Sequence, residues 1–166
     1  IDYAKKRTTK LKNCKFFVMD THKMSFNNET FDIIYCYKSL LYLNLKVAFE
    51  ELNRVLKPNG KIIIIENLSN NFIFKYYRVI KNYFKNKKFL KELKKINFED
   101  LEFVNEKFYI LDKKFFDFSS ILGKFLYDKF KVKINPETCK KFDNYILNKI
   151  NLSNLSFTVC LILKKK

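Results

Sequence analysis

The side chains able to do chemistry are few and far apart. His22 is the only histidine, and it stands two positions after Asp20. It is the one side chain that titrates near neutrality in its ordinary state, so it is the first residue to weigh as a general base. Four cysteines, Cys14, Cys36, Cys139 and Cys160, are scattered without a Cys-x-x-Cys pair. With no second histidine and no paired thiols, a zinc site has no donor set, and reduced cysteines are the expected state. Cys36 lies between Tyr35 and Tyr37, but no base is spaced to activate it as a nucleophile, so it reads as a strand cysteine. Glu66-Asn67 closes an isoleucine run. The two glycines, Gly60 and Gly123, cannot build a glycine-rich phosphate loop.

The elements that must position these groups follow from hydrophobic spacing. Lys15–Met19, Phe31–Cys36 and Lys61–Ile65 are short runs, apolar on successive residues, which suits strands buried on both faces of a parallel sheet. They end on or near Asp20, Tyr37 and Glu66. Between the second and third, Leu45, Ala48, Phe49, Leu52, Val55 and Leu56 recur at three and four, the period of an amphipathic helix. Pro58-Asn59-Gly60 then turns the chain into the third run. Strand, helix, turn and strand make a βαβ crossover, hence an α/β fold. Further along, the spacing predicts helices over 72–96, 119–130 and 136–150, with Pro136 in a first turn. It predicts strands over 103–111 and 157–163.

The chain has 166 residues, 48% of them hydrophobic and 17% aromatic, enough for one domain with a real core. Its formal charge is +17. Lys, Asn, Ile, Phe and Tyr, all read from A+T-rich codons, make up more than half of it, and only Arg7, Arg54 and Arg78 are arginines. Phosphate and base recognition favours arginine, so codon bias accounts for the charge more economically than specific nucleic-acid binding. Nearly half the excess charge lies in residues 67–98. There a lysine-studded stretch from Phe74 to Lys95 carries an aromatic face, which suits an anionic substrate, peripheral membrane contact, or simply a solvated helix. No apolar run approaches the roughly 20 residues of a membrane-spanning helix, and a cytoplasmic location is expected.

Three blocks in register resemble a known family. Asp20 after an apolar run, Thr30 to Cys36, and Glu51-Leu52-Asn53-Arg54-Val55-Leu56-Lys57-Pro58-Asn59-Gly60-Lys61-Ile62-Ile63-Ile64 are together similar to class I S-adenosylmethionine-dependent methyltransferases of the type 11 kind. Asn59 replaces one of the usual glycines of the last block, a mild change because Asn tolerates left-handed backbone. The resemblance covers residues 1–66 and, more weakly, the final strand. It implies a partial Rossmann-like fold, a mostly parallel sheet with an antiparallel C-terminal strand and a helical lid. The expected divisions are a cofactor-side βαβ core over 1–66, a basic lid over 67–98, and C-terminal strands and helices over 99–166. By the same alignment the first two strands and the glycine-rich turn fall upstream of Ile1, so the chain is expected to be a fragment. It should then bind its cofactor weakly and be inactive alone.

The resemblance also assigns sites. Asp20 matches the acceptor for the adenine amino group of S-adenosylmethionine, with Thr21 and His22 beside the ring, far from the transferred methyl. Tyr35, Cys36 and Tyr37 fall where the family meets the methionine end of the cofactor. Tyr42 stands where many members carry a histidine, which leaves proton abstraction by histidine unsupported here. Tyr42, Glu66 and Asn67 fall on the acceptor side, although Glu66 and Asn67 could equally begin a polar loop. No general base is identified. The expected activity is methyl transfer to a small-molecule acceptor, anionic or lipid-like, by positioning and in-line displacement without a metal. A basic module of the same fold that binds anionic lipid or RNA without catalysis is the alternative.

Overall fold

The computed structural model describes residues 2–8, 13–68, 103–149 and 156–166. Its centre is a four-stranded sheet: β1 (Phe31–Tyr37), β2 (Leu56–Asn67), β3 (Phe108–Phe116) and β4 (Thr158–Lys165), in the order β1-β2-β4-β3. β1 and β2 are parallel, and β4 runs antiparallel to both β2 and β3. Three strands therefore share one direction and the C-terminal strand opposes them, as expected. The helices in chain order are α1 (Asp2–Arg7), α2 (Leu45–Val55), α3 (Val104–Lys107), α4 (Ser119–Phe130) and α5 (Pro136–Asp143). A wider helical turn, Asn144–Lys149, extends α5.

α2 is the crossover between β1 and β2. Its stripe of Leu45, Ala48, Phe49, Leu52 and Val55 is buried as a whole, against Ile62 and Ile64 of β2 and Leu161 and Leu163 of β4. Phe49 meets Phe103 and Phe108 edge to face at 5.5 and 6.0 Å, which ties α3 and β3 to the same core. Burying such a ring contributes on the order of 2 kcal/mol. Lys165 of β4 donates from Nζ to the carbonyls of Asn53 and Leu56, closing the C-terminal end of α2 where backbone oxygens lack intrahelical partners.

The turn between α2 and the paired part of β2 behaves as its residues require. Asn59 is left-handed, with φ of 63°. A Cβ at Gly60 would stand 2.7 Å from Leu56 Cδ1 and 2.9 Å from the Lys57 carbonyl oxygen, so only glycine fits the approach. Residues 57–60 form an irregularity in the ladder, which shifts between the Phe31–Leu56 and Ile33–Lys61 pairs. Lys57 Nζ also reaches Asp32 at 3.0 Å, giving that acid the structural place its position suggests.

Four expectations need correction or fall elsewhere. Lys15–Met19 is not a strand: it pairs with no described strand, and Phe17 and Val18 are exposed. A strand is held by its neighbours, and β1, the nearest strand in sequence, pairs only with β2 among the described residues. For the same reason β1 is not buried on both faces. Ile33, Tyr35 and Tyr37 are each more than half exposed, whereas Ile34 and Cys36 pack on the core. The strand expected over 103–111 begins later, at Phe108, because 104–107 form a helical turn with Val104 buried. The helices expected over 72–96 lie outside the described residues.

Candidate functional site at the carboxyl ends of β1 and β2

Asp20 opens a turn in which the Lys23 N–H donates to its carbonyl. Its Oδ1 accepts from the His22 backbone N–H at 2.9 Å and from His22 Nδ1 at 2.7 Å. These bonds to His22 hold the Asp20 carboxyl below its usual value. A carboxylate only accepts, so Nδ1 of His22 carries the proton and Nε2 is free to accept. It does so from the backbone N–H of Asn44, at 2.9 Å. Asn44 is the N-cap of α2. Both nitrogens of His22 are thus spent fastening the Asp20 turn to the start of the helix that follows β1. His22 is a strut there and has no free nitrogen for proton transfer.

The next residues are held just as firmly, by the acid and the arginine that open the Glu51–Ile64 block, whose pairing the sequence reading did not assign. Glu51 and Arg54, three apart on α2, form a bidentate pair with separations of 2.6 and 2.8 Å. Glu51 Oε1 also accepts from the Met24 N–H. Arg54 donates to the Met24 and Phe26 carbonyls and to Asn28 Oδ1. The pair with Arg54 holds the Glu51 carboxyl below its ordinary value and raises the guanidinium in turn. Residues 22–28 are therefore laced to α2 through side chains, and they pair with no described strand. The i, i+3 acid–base spacing was the available signal.

At the end of β1 the chain turns through left-handed Lys38 (φ 50°), whose N–H donates to the Ile65 carbonyl. A short 3-10 turn, Leu40–Tyr42, follows. Here Glu66, only 1% exposed, does its work: Oε2 accepts from the Leu40 N–H at 2.9 Å and Oε1 from the Asn67 N–H at 3.0 Å. One buried carboxylate locks together the connections that leave β1 and β2. Asn67 is half-buried and bonded in turn to Thr158 of β4. Tyr42 is 70% exposed at the outer side of the turn.

The three consecutive residues Tyr35, Cys36 and Tyr37 do not converge. Alternation along a strand sends Tyr35 and Tyr37 to one face, where their rings stack at 6.3 Å, and Cys36 to the other. Burial, with Glu66 nearby, pushes the Cys36 thiol up to about 11. It stays protonated at neutral pH and is no nucleophile. Thr21 is half-buried within the Asp20 turn.

Among the groups left open at this end of the sheet are the exposed Asp20 carboxylate, whose Oδ2 carries no bond to a described residue, the stacked Tyr35–Tyr37 pair and Tyr42. The open carboxylate oxygen of Asp20 suits the exocyclic amino group of a heterocycle. Neither glycine lies in a strand-to-helix turn: Gly60 is in β2 and Gly123 in α4. The Asp20 carboxylate is chemically able to accept an adenine amino group, and among the described residues no glycine-rich turn stands ready for a ribose. No group of three or more potential metal ligands occurs among the described residues.

This architecture is a mixed α/β, Rossmann-like fold, and solved structures share it. The chain aligns over 99% of its length with 58% of geranyl diphosphate C-methyltransferase from Streptomyces coelicolor A3(2), at TM-score 0.63 and 14% identity. It aligns equally fully with 60% of the [4+2]-cyclase SpnF, at TM-score 0.56 and 15% identity. A cyclase and a methyltransferase on one scaffold make plain that the fold does not name the reaction. Sequence narrows it further: residues 1–64 match the family model described as a methyltransferase domain. A sterol 4-C-methyltransferase from Caenorhabditis elegans is 42% identical over 59 residues, 35% of this chain and 18% of that protein. The resemblance to class I methyltransferases is borne out over this segment, which spans the Asp20 turn, β1, α2 and most of β2. The matched segment spans less than a fifth of the curated relative, and the chain about three-fifths of those solved structures.

Proposed function

We propose that this chain is part of an S-adenosylmethionine-dependent methyltransferase acting on a small-molecule acceptor. The observation that supports this best is where the methyltransferase-domain match falls. It covers the turn whose carboxylate keeps one oxygen unbonded to any described residue and the start of α2, to which that turn is fastened. In this reading Asp20 Oδ2 accepts the adenine amino group, and Thr21 and His22 border the ring. The Tyr35–Tyr37 face lies toward the methionine end of the cofactor, where the acceptor enters, and Tyr42 flanks the acceptor's path. When bound, the cofactor supplies a methyl group on a sulfonium, which an acceptor atom displaces in line.

The chain's own residues bind and orient. Glu66 fixes the 3-10 turn after β1, the Glu51–Arg54 pair fixes the segment after Asp20, and no side chain is assigned as a base. Catalysis by positioning suffices for an acceptor that is already a nucleophile. The lysine-rich residues 67–98 suit an anionic or lipid-like acceptor.

The test is equilibrium dialysis of the full gene product against tritiated S-adenosylmethionine, with adenosine as competitor. Saturable binding that adenosine displaces and that Asp20→Ala weakens is expected, together with transfer of label to an organic-extractable product. Absence of binding, or binding indifferent to Asp20→Ala, would overturn the reading. Salt-sensitive adsorption to anionic vesicles without cofactor binding would favour a non-catalytic basic module instead.

A further inference from the structure

A second concave site lies far along the chain, between α4 and α5. Lys131 caps α4 in the left-handed conformation (φ 59°), with its N–H on the Tyr127 carbonyl, and turns the chain back over the helix. Asn135 then caps α5, its Oδ1 accepting from the Glu137 N–H, with Pro136 in the first turn. Between the two helices this leaves a cavity of about 450 Å³, within the range of small-molecule pockets.

The walls are largely apolar: Tyr127, Ile134, Pro136 and Cys139, with Gly123 opening one side. Gly123 sits in the middle of α4, where glycine costs about 1 kcal/mol relative to alanine. Crowding does not explain it. A Cβ there would lie 3.6 Å from Ile134 Cδ1 and 4.0 Å from Cys139 Sγ, which is ordinary contact. What a larger side chain would do is fill the cavity.

The polar groups divide by what they are bonded to. Asp143 is buried, and its Oδ1 accepts from the Ser119 N–H at 2.7 Å. Asp117 Oδ2 accepts from Thr158 Oγ1 at 2.6 Å. Both acids are engaged in holding the chain. Lys133 and Lys140 also line the cavity, both exposed, and neither forms an ion pair with a described residue. Two exposed ammonium groups, neither ion-paired with a described residue, line an apolar cavity whose two carboxylates are already bonded to Ser119 and Thr158, which leaves the lysines to meet a ligand's acidic group.

We propose that the α4–α5 cavity binds a compact apolar anion, its apolar body against Gly123, Ile134 and Cys139 and its acidic group between Lys133 and Lys140. The net charge of +17 further favours the approach of such an anion. This site is independent of the reading of the β1–β2 end.

The experiment is calorimetric titration of the full chain with decanoate, decanol and decylamine. Decanoate is expected to bind saturably at one site, with decanol and decylamine at least about tenfold weaker, the equivalent of about 1.4 kcal/mol. Lys133→Gln combined with Lys140→Gln should reduce decanoate affinity about tenfold and abolish the preference over decanol. The remote pair Lys5→Gln and Lys6→Gln on exposed α1 should leave both unchanged. Gly123→Leu should block binding and Gly123→Ala should retain it. The proposal is overturned if decylamine binds as well as decanoate, if the α1 pair lowers affinity as much as the cavity pair, or if no saturable decanoate site exists.

Discussion

Replacing Glu66 with glutamine changes one atom and tests how the end of the sheet is held. The carboxylate accepts two backbone N–H bonds, from Leu40 at 2.9 Å and Asn67 at 3.0 Å, and is 1% exposed. An amide has one acceptor oxygen, so one N–H must lose its partner and the other bond becomes neutral to neutral. Losing a charge-assisted bond costs about 2 kcal/mol and weakening the second about 1 kcal/mol. Burying an amide in place of a carboxylate returns about 1 kcal/mol, which leaves a net loss of about 2 kcal/mol. For a chain of this length that lowers the melting temperature by about 4–8 °C. Urea unfolding gives the free energy, and amide exchange read by NMR locates it: Leu40 or Asn67 should exchange about thirtyfold faster, the same 2 kcal/mol seen locally. A Glu66→Gln protein as stable as the parent, with both amides still protected, would refute the reasoning. Burial of the charge would then cost as much as its two bonds return.

The Glu51 carboxyl lies below its ordinary 4.5 in the fold because of Arg54. Its stabilising contribution is therefore complete above about 4.5 and is lost as pH falls through the depressed value. Urea midpoints measured between pH 6 and 3 should fall, and Glu51→Gln should flatten that part of the profile. Gly60→Ala forces a Cβ to 2.7 Å from Leu56 and should cost about 1–3 kcal/mol in urea unfolding, whereas a neutral outcome would mean that the Leu56 side chain simply moves aside. With a thiol raised to about 11, Cys36 is about one part in a thousand thiolate at pH 8. Exposed Cys14 should react with a thiol reagent in the native state, and Cys36 only on unfolding, as peptide mapping would show.

Periodicity alone identified α2, α4 and the paired parts of β1, β2 and β4, because each of these carries its burial pattern in consecutive residues. Asn59 and Gly60 were legible for a similar reason: what a turn demands is local backbone geometry. Lys15–Met19 shows the limit of that reading. It has the composition of a strand, but pairing belongs to the neighbour and not to the segment. The same holds for β1, whose two faces became unequal only once its place in the sheet was set.

For the candidate site, the sequence by itself determined which residues are able to act, among them Asp20, His22, Tyr35, Cys36 and Glu66. Only the tertiary structure decided what each does, because a side chain's role depends on which groups lie within hydrogen-bond reach. It spent both nitrogens of His22 on Asp20 and Asn44 and buried Glu66 under two backbone amides. It also split Cys36 from its tyrosine neighbours across the sheet. The contacts of His22 with Asn44 and of Glu66 with Leu40 join residues 22 and 26 positions apart, a distance that no local pattern encodes.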